Sequence, residues 1–300
     1  MADIRILDLR FQGASEAIAS FLVETDAGPV LIETGPDSTF ANLEKELAKF
    51  GYLPEDIKHV LLTHIHFDHA GAAWRLAKGG AKIFVHPAGA VHLVNPERLW
   101  NSASQNYGDD MEKLWGQSGS IPSDQVIEVE DEAVLDIGNC RFKAIHTPGH
   151  AVHHIAWKLG ESIFTGDIAG VKIENGPVVP PCPPPDIHIE AWKSSLGKIK
   201  AEKPSFLFLT HFGIIENVDW HLDSLSYILD DWSEWMKSRF DQGVPQADAV
   251  TDFISYTRHF LAAQGCSEAL IEVYEKANPS FMSVAGLYRY WKLKQEGRLR

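Results

Sequence analysis

The chain has few cysteines, no long apolar run and no cluster of basic residues. Its three cysteines, Cys140, Cys182 and Cys266, are scattered, odd in number and not at zinc-site spacing. They predict reduced thiols in a cytoplasmic protein rather than a disulfide framework. No apolar run reaches the roughly 20 residues of a membrane-spanning helix. The first residues, Met1 to Arg5, do not resemble a signal peptide. We therefore expect no membrane association.

Basic residues are scarce, and this limits the classes of partner. The chain has 27 Lys and Arg against 41 Asp and Glu, which gives a formal net charge of -14 at pH 7. A nucleic-acid partner would require clustered Lys and Arg, so we expect none. The chain also lacks a Gly-x-Ser-x-Gly motif, so a serine nucleophile of that type is not expected. Its 300 residues, 45% of them hydrophobic, suffice for one large domain or for a domain with an appendage.

The segment from Thr63 to His69 has the most informative sequence, T-H-I-H-F-D-H. It follows a short apolar strand at 59–62, so its polar groups lie at the end of a buried element and are costly there unless something coordinates them. Imidazole and carboxylate are preferred ligands of zinc and similar divalent ions. His64 and His66 are expected on one side of an extended segment. Asp68 and His69 follow where the chain turns toward a helix predicted to start near Ala70. Two ligand pairs in two directions suit two metals.

Three further apolar strands end in the same way. Each runs into Thr or Gly and then a potential ligand, which is His150 after strand 141–145, Asp167 after strand 162–165, and His211 after strand 206–209. Binding sites of sheet proteins gather where strand ends and their loops converge. We therefore expect these side chains to meet the first segment at one site.

These residues, taken in order, closely resemble the signature of the metallo-β-lactamase superfamily, and the resemblance spans roughly Ile4 to Phe212. It implies an α/β fold, the four-layer αβ/βα sandwich, here with an α-helical C-terminal extension. It also implies a two-metal centre in which Asp167 bridges both ions. The implied ligands are His64, His66 and His150 for one metal, and Asp68, His69 and His211 for the other. Asp68 and Asp167 are also the candidate catalytic residues, because either carboxylate could handle a proton.

Within the superfamily, the proline-rich segment 180–185, the His211-Phe212-Gly213 ending and a helical tail resemble a hydrolase branch labelled glyoxalase II-like by analogy. Two features depart from the better-known members. Glu33 stands before Thr34-Gly35 where the superfamily normally has Asp, and we expect it to orient a ligand histidine. Glyoxalase II enzymes have a basic, Tyr-containing stretch after the bridging Asp, and many acyl-homoserine lactonases have a Tyr in the comparable region. The stretch 168–210 of this chain has no Tyr and no Arg. The sequence therefore does not name the substrate.

The pattern along the chain predicts a catalytic domain over 1–214 and a helical extension over 215–300. The predicted strands are 4–9, 21–24, 30–33, 59–62, 83–86, 126–129, 141–145, 155–158, 162–165 and 206–209. The predicted helices are 40–50, a short one from Pro87, 187–201 with Asp186 as N-cap, 219–240, 248–263, 267–277 and 283–294. The segment 97–123 is a long polar and aromatic insertion, which indicates a functional or mobile part.

The expected function is that of a dinuclear metal-dependent hydrolase. A hydroxide shared by two divalent ions would attack the carbonyl of an ester, thioester or lactone of a small molecule. Zinc is the favoured metal, and manganese or iron would also suit His and Asp ligands. A homodimer is left open.

Two other classes remain as alternatives. The first is a mononuclear iron oxidoreductase of the persulfide dioxygenase type on the same fold. The second is a binding or scaffold protein that retains the metal site without turnover, against which the complete ligand set argues.

Overall fold

Two six-stranded mixed sheets form the centre of the computed structural model, which describes residues 3–299. The first sheet contains, in spatial order, β1 (Ile4–Asp8), β2 (Ala19–Val23), β3 (Val30–Ile32), β4 (His59–Leu61), β5 (Lys82–Val85) and β6 (Val126–Glu128). The second contains β7 (Val134–Ile137), β8 (Cys140–His146), β9 (Ile155–Leu159), β10 (Ser162–Gly166), β11 (Phe206–Leu209) and β12 (Gly213–Ile215). Strands β3 to β6 are parallel, and in the second sheet only β10 and β11 are parallel.

Eleven α-helices occur in the described part of the chain. They are α1 (Phe40–Ala48), α2 (Phe67–Ala70), α3 (Ala73–Lys78), α4 (Pro87–Val94), α5 (Glu97–Tyr107), α6 (Met111–Trp115), α7 (Ile189–Ala201), α8 (Val218–Asp241), α9 (Gln246–Ala263), α10 (Glu268–Ala277) and α11 (Ser280–Gln295). No helix within residues 3–299 is both long and apolar enough to cross a membrane.

Alternation along the strands separates two apolar layers. In β8, Phe142 and Ala144 are fully buried, whereas Arg141 is exposed and Lys143 is half-buried. The layer between the sheets is aromatic, with the rings of Phe21 and Phe164 5.3 Å apart. Burying such a side chain contributes about 1.5–3 kcal/mol to stability. The two sheets are therefore held together by side chains of one parity on each strand.

Helices cover the outer faces of both sheets. Leu43 and Leu47, four residues apart on α1, are buried with the outer face of the first sheet, and Trp192 and Leu196 of α7 are buried in the same cluster with residues of the second. The order helix, sheet, sheet, helix confirms the predicted four-layer sandwich, and α8 to α11 confirm the predicted helical extension. The division into domains at residue 214 stays a prediction.

Several local predictions were wrong. Strands β7 and β12 were not expected, because Val134–Ile137 is partly exposed and β12 begins at a glycine and leaves Ile214 exposed. Helix α7 begins at Ile189, and its N-cap is His188, whose side chain accepts a hydrogen bond from the Ala191 amide. Asp186 instead accepts a hydrogen bond from the Val152 amide at 3.4 Å. Met1 and Ala2, which belong to the segment judged unlike a signal peptide, lie outside the described residues, as does Arg300.

Candidate metal centre

The predicted ligands come from the ends of strands in both sheets. His64 follows β4 of the first sheet, while His150, Asp167 and His211 follow β8, β10 and β11 of the second. Because these ends converge, side chains as far apart in the sequence as Asp68 and His211 lie within contact distance of one another. Asp68 and His69 lie in α2, which begins at Phe67, three residues earlier than predicted.

The seven side chains form two groups that share one member. In the first, His66 Nδ1 lies 2.9 Å from His64 Nε2 and 3.0 Å from His150 Nε2, and Asp167 Oδ2 lies 3.3 Å from His150 Nε2. Around a tetrahedral zinc ion with bonds of 2.0–2.1 Å, neighbouring ligand atoms are about 3.3 Å apart, so this group has the dimensions of a metal cage.

The second group uses the other oxygen of the same aspartate. Asp167 Oδ1 lies 3.1 Å from His69 Nε2 and 3.4 Å from His211 Nε2, and Asp68 Oδ2 lies 3.3 Å from His211 Nε2. Within each group all the ligand atoms lie within 4.8 Å of one another. The two groups are therefore joined through the two oxygens of Asp167, with the membership that the sequence resemblance implies.

Hydrogen bonds on the far side of the rings direct the histidine nitrogens toward the centre. His150 Nδ1 donates to the Pro181 carbonyl at 2.9 Å, and His211 Nδ1 donates to the Ala17 carbonyl at 2.7 Å. A carbonyl oxygen only accepts, so each ring carries its proton on Nδ1 and presents the Nε2 lone pair to the site. Neither carbonyl could be identified from sequence, because any residue type supplies one.

Glu33 performs the same function for two more histidines. Its Oε1 accepts from His69 Nδ1 at 3.2 Å and from the Thr63 hydroxyl, and its Oε2 accepts from the Thr63 amide at 3.3 Å. Since the Thr63 hydroxyl donates to Glu33, its oxygen is left to accept from His64 Nδ1 at 3.0 Å. Glu33 therefore fixes the tautomer of His69 directly and that of His64 through Thr63. The residue itself has a positive φ of 61°.

Electrostatics differ between the two groups. Burial lowers the pKa of His64 well below its usual range, lowers that of His66, and lowers that of His150 to about 4. These imidazoles are neutral, which is the form that binds metal. Burial also acts against a charged His69, but the carboxylates of Asp167, Asp68 and Glu33 outweigh it and raise the His69 pKa well above its usual range. The second group thus has an excess of negative charge that favours a cation.

The fit of the site to metal ions rests on atoms that have no other partner. His69 Nε2, His211 Nε2 and Asp167 Oδ1 are buried and make no hydrogen bond to the described chain. Buried polar atoms are normally hydrogen-bonded, and leaving one unpaired costs about 1–3 kcal/mol. All three belong to the second group and point at the same volume, so a divalent cation held by Asp68, His69, Asp167 and His211 would satisfy them.

The C-terminal extension holds the proline-rich loop that positions His150. Tyr274 of α10 donates to the Pro177 carbonyl at 2.7 Å, and Asn278 donates to the Pro180 carbonyl at 3.1 Å. Helix α11 approaches the loop so closely that a Cβ on Gly286 would lie 1.9 Å from the Cys182 carbonyl oxygen. Pro181, whose carbonyl accepts from His150, lies within the loop that these contacts fix.

A cavity of about 520 Å³ opens beside the two groups. His66, Asp68 and Asp167 reach its surface, and the insertion and the extension supply much of the remaining wall. Trp115 of the insertion stacks on Phe11 with ring centroids 5.4 Å apart, which attaches the insertion to the core. The insertion is therefore a wall of the cavity.

Tyr107 is a pocket residue that sequence reasoning did not single out. It lies at the end of α5, with its ring edge-on to Trp115 at 5.2 Å and to Phe281 at 5.7 Å, and it lines the cavity with Asp68. Burial and the Asp68 carboxylate raise the pKa of Tyr107 far above its usual range, so the hydroxyl remains a donor at neutral pH. Its occurrence in an aromatic insertion was the only available signal.

His153, His154, His86 and Cys182 lie outside the two groups. His153 lines the cavity, whereas His154 Nδ1 contacts the Thr147 hydroxyl at 2.8 Å, and neither hydrogen-bonds a predicted ligand. His86 stacks on His146 with ring centroids 4.4 Å apart. Cys182 is fully buried, and burial raises the pKa of its thiol, so it is inert as a nucleophile.

The comparisons with known proteins agree on one family. The family model described as Metallo-beta-lactamase superfamily matches residues 16–211, more than half of the chain. The metallo-beta-lactamase fold-containing protein ST1585 of Sulfurisphaera tokodaii is 32% identical over 179 residues, which are 58% of this chain and 67% of that protein. The solved structure of ST1585 from Sulfolobus tokodaii superposes with a TM-score of 0.64 at 23% identity and covers 96% of this chain and 98% of that one. The superposition shows a shared fold.

Two further relatives have names that state an activity. An N-acyl homoserine lactonase from a Bacillus species is 32% identical over 157 residues, 45% of this chain and 54% of that protein. The probable polyketide biosynthesis zinc-dependent hydrolase PksB of Bacillus subtilis is 29% identical over 126 residues, 42% of this chain and 44% of that protein. The chain thus spans about half the length of each, and a metal-dependent hydrolase is supported at a general level.

Proposed function

Because the chain belongs to the metallo-β-lactamase superfamily, we propose that it is a dinuclear metal-dependent hydrolase that cleaves an ester, thioester or lactone of a small molecule. One observation carries the proposal. Asp167 presents one oxygen to His150 at 3.3 Å and the other to His69 at 3.1 Å, so a single carboxylate belongs to both ligand groups. A mononuclear centre would require only one of the groups.

The proposed ligands are those of the two groups. The first ion would be held by His64, His66, His150 and Asp167, and the second by Asp68, His69, His211 and Asp167. When bound, two divalent ions lower the pKa of a shared water toward neutrality and polarise the carbonyl oxygen under attack. Zinc fits this set of nitrogen and carboxylate ligands, as do manganese and iron.

The chain's own residues then have separate roles. Asp68 reaches the cavity, and its Oδ2 contacts His211, so Oδ1 is the atom that can accept the proton of the attacking water. Asp167 is held between two groups of histidines and serves as a ligand. Tyr107 lines the same cavity with its hydroxyl protonated, and it can donate a hydrogen bond to the substrate oxygen that gains charge. The apolar walls of the cavity limit access of bulk water.

The first test is metal content after purification without added metal or chelator, measured by plasma mass spectrometry. About two zinc or manganese ions per chain, with hydrolysis of a thioester, lactone or ester panel, are expected. One iron per chain would overturn the proposal and favour oxygen-dependent chemistry of the persulfide dioxygenase type.

A pair of variants tests whether the metals are needed for folding or only for hydrolysis. His64→Ala should lower metal content and abolish hydrolysis while the circular dichroism spectrum is retained, because the two sheets are held by a separate apolar layer. His259→Ala is the matched control, since His259 is exposed on α9 and bonds only the Ser255 carbonyl. Global unfolding of His64→Ala alone would show that the ions are structural.

A further inference from the structure

Three cationic side chains line the cavity next to the proposed metal centre. Arg98 comes from α5, Lys276 from α10 and Arg289 from α11. They belong to the insertion and the C-terminal extension, the two segments that surround the cavity mouth. The meeting of the insertion with the distant C-terminal extension, which brings these three cations to one cavity, is a property of the tertiary structure.

These cations keep most of their hydrogen-bonding capacity. Arg289 uses Nε to donate to the Pro185 carbonyl at 3.0 Å, and Lys276 donates weakly to the Gln12 carbonyl at 3.5 Å. No ion pair among residues 3–299 involves Arg98, Lys276 or Arg289. Elsewhere on the surface pairing is common: Lys143 and Lys158, for example, share Glu202 at 2.7 and 2.6 Å.

The carboxylates of the cavity do not neutralise them. Asp68 and Asp167 face the histidines of the two ligand groups, and divalent ions there would more than offset their charge. Asp186 is the one other acid among the described lining residues, and it accepts from the Val152 amide. The mouth therefore has three cations against one carboxylate in a chain of net charge -14, which attracts anions to this opening.

The inner wall has a different character. Phe11, Ile18, Phe67, Trp115 and Met282 provide apolar surface in the same cavity. Apolar walls bind the hydrocarbon part of a ligand, and a few polar groups fix its orientation. The scissile carbonyl must lie at the metal centre, where Asp68 and Asp167 pair with histidines and with none of the three cations. The cations would therefore recognise a charged group in a part of the substrate remote from that carbonyl.

We propose that the substrate is an acyl compound with an anionic group, a carboxylate or a phosphate, at the end remote from the scissile bond, and that Arg98, Lys276 and Arg289 bind this group. Guanidinium groups match the oxygens of carboxylate and phosphate in a two-point contact. This inference rests on the proposed hydrolase function, of which it names the substrate class.

Three thioesters of equal chain length provide the test. They are the S-phenyl monothioester of suberic acid, its neutral counterpart from octanoic acid, and an octanoyl thioester with a terminal phosphate. The zinc-loaded protein should show a higher kcat/KM for the acidic thioesters, and added salt should lower this preference because it screens exposed charges. Whichever acidic compound has the higher kcat/KM identifies the anion as carboxylate or phosphate.

Substitution of each of the three cations tests whether it binds the anionic group. Arg98→Gln, Lys276→Gln and Arg289→Gln should each reduce the preference for the acidic over the neutral thioester by up to about fivefold, the range of a solvent-exposed charge pair. Lys292→Gln is the control, because Lys292 is an exposed lysine of α11 that does not line the cavity. An equal preference in the wild type, or variants that behave like Lys292→Gln, would overturn the inference while hydrolysis itself stands.

Binding is measured separately, so that failure of the hydrolase proposal is distinguishable. Thioether analogues of the same three compounds cannot be cleaved, and titration calorimetry with the zinc-loaded protein gives their affinities. Tighter binding of the acidic thioethers, reduced in the three variants, supports the inference even if no thioester is hydrolysed. Equal affinity of acidic and neutral thioethers contradicts it.

Discussion

Glu33→Gln should weaken metal binding at the proposed centre without changing the size of the side chain. The Glu33 carboxylate is fully buried and accepts three hydrogen bonds, from His69 Nδ1, the Thr63 hydroxyl and the Thr63 amide. An amide has only one accepting atom, and its nitrogen donates. Glutamine therefore cannot accept all three bonds in either orientation of its amide.

Each orientation of the amide has a distinct cost. If the oxygen faces His69 and the Thr63 hydroxyl, the NH2 group faces the Thr63 N–H, and a buried donor left unpaired costs about 1–3 kcal/mol. If the NH2 group faces His69, the ring must accept at Nδ1 and carry its proton on Nε2, the atom that points into the second group. Loss of a partner that orients a ligand histidine typically reduces metal affinity 10- to 100-fold, or about 1.4–2.7 kcal/mol. The cost of the unpaired Thr63 amide and the loss of metal-binding free energy are therefore of similar size.

Zinc affinity is measured by competition with a coloured chelator, and this titration resolves the two binding steps. We expect at least one step to weaken about 10- to 100-fold, as estimated above, and Glu33→Asp, which keeps an accepting carboxylate, to lose less. Glu24→Gln is the matched control: Glu24 accepts from the Tyr52 hydroxyl at 2.6 Å, outside both ligand groups. Wild-type affinity in both steps for Glu33→Gln would refute the tautomer argument, and an equal loss in Glu24→Gln would attribute the effect to net charge.

Two further predictions concern single side chains. His221 of α8 is buried, its Nε2 donates to the Ala169 carbonyl at 2.8 Å, and burial lowers its pKa to about 4. The unfolded chain binds this proton near pH 6.5. The contribution of His221 to stability is therefore complete above about pH 6.5 and lost as the pH falls to about 4, by about 3 kcal/mol in total. Urea unfolding of His221→Gln should show a smaller decrease over this interval than the wild type, and identical pH dependence would contradict the assignment. Tyr107→Phe keeps the ring packing but removes the hydroxyl, so we expect kcat to fall about 100-fold with unchanged metal content; an unchanged kcat would exclude a role for that hydroxyl in the reaction.

The sequence by itself was sufficient to predict the family, the layered fold and the proposed ligands. The reason is that metal ligands are restricted to a few residue types, and here each follows an apolar strand at a short fixed distance. The pattern places His64 after β4 and His211 after β11 with no knowledge of how the sheets pack. The exposed strand β7 and the three-residue β12 were missed, because neither has a strong apolar pattern.

The tertiary structure decided everything that depends on atoms without a sequence signature. The acceptors for His150 and His211 are backbone carbonyls of Pro181 and Ala17, which any residue could supply. The cations of the cavity mouth come from segments nearly two hundred residues apart, and only packing of the extension against the insertion brings them to one opening. Local patterns report which face of a strand or helix is buried, whereas the shape and charge of a cavity depend on which distant segments meet.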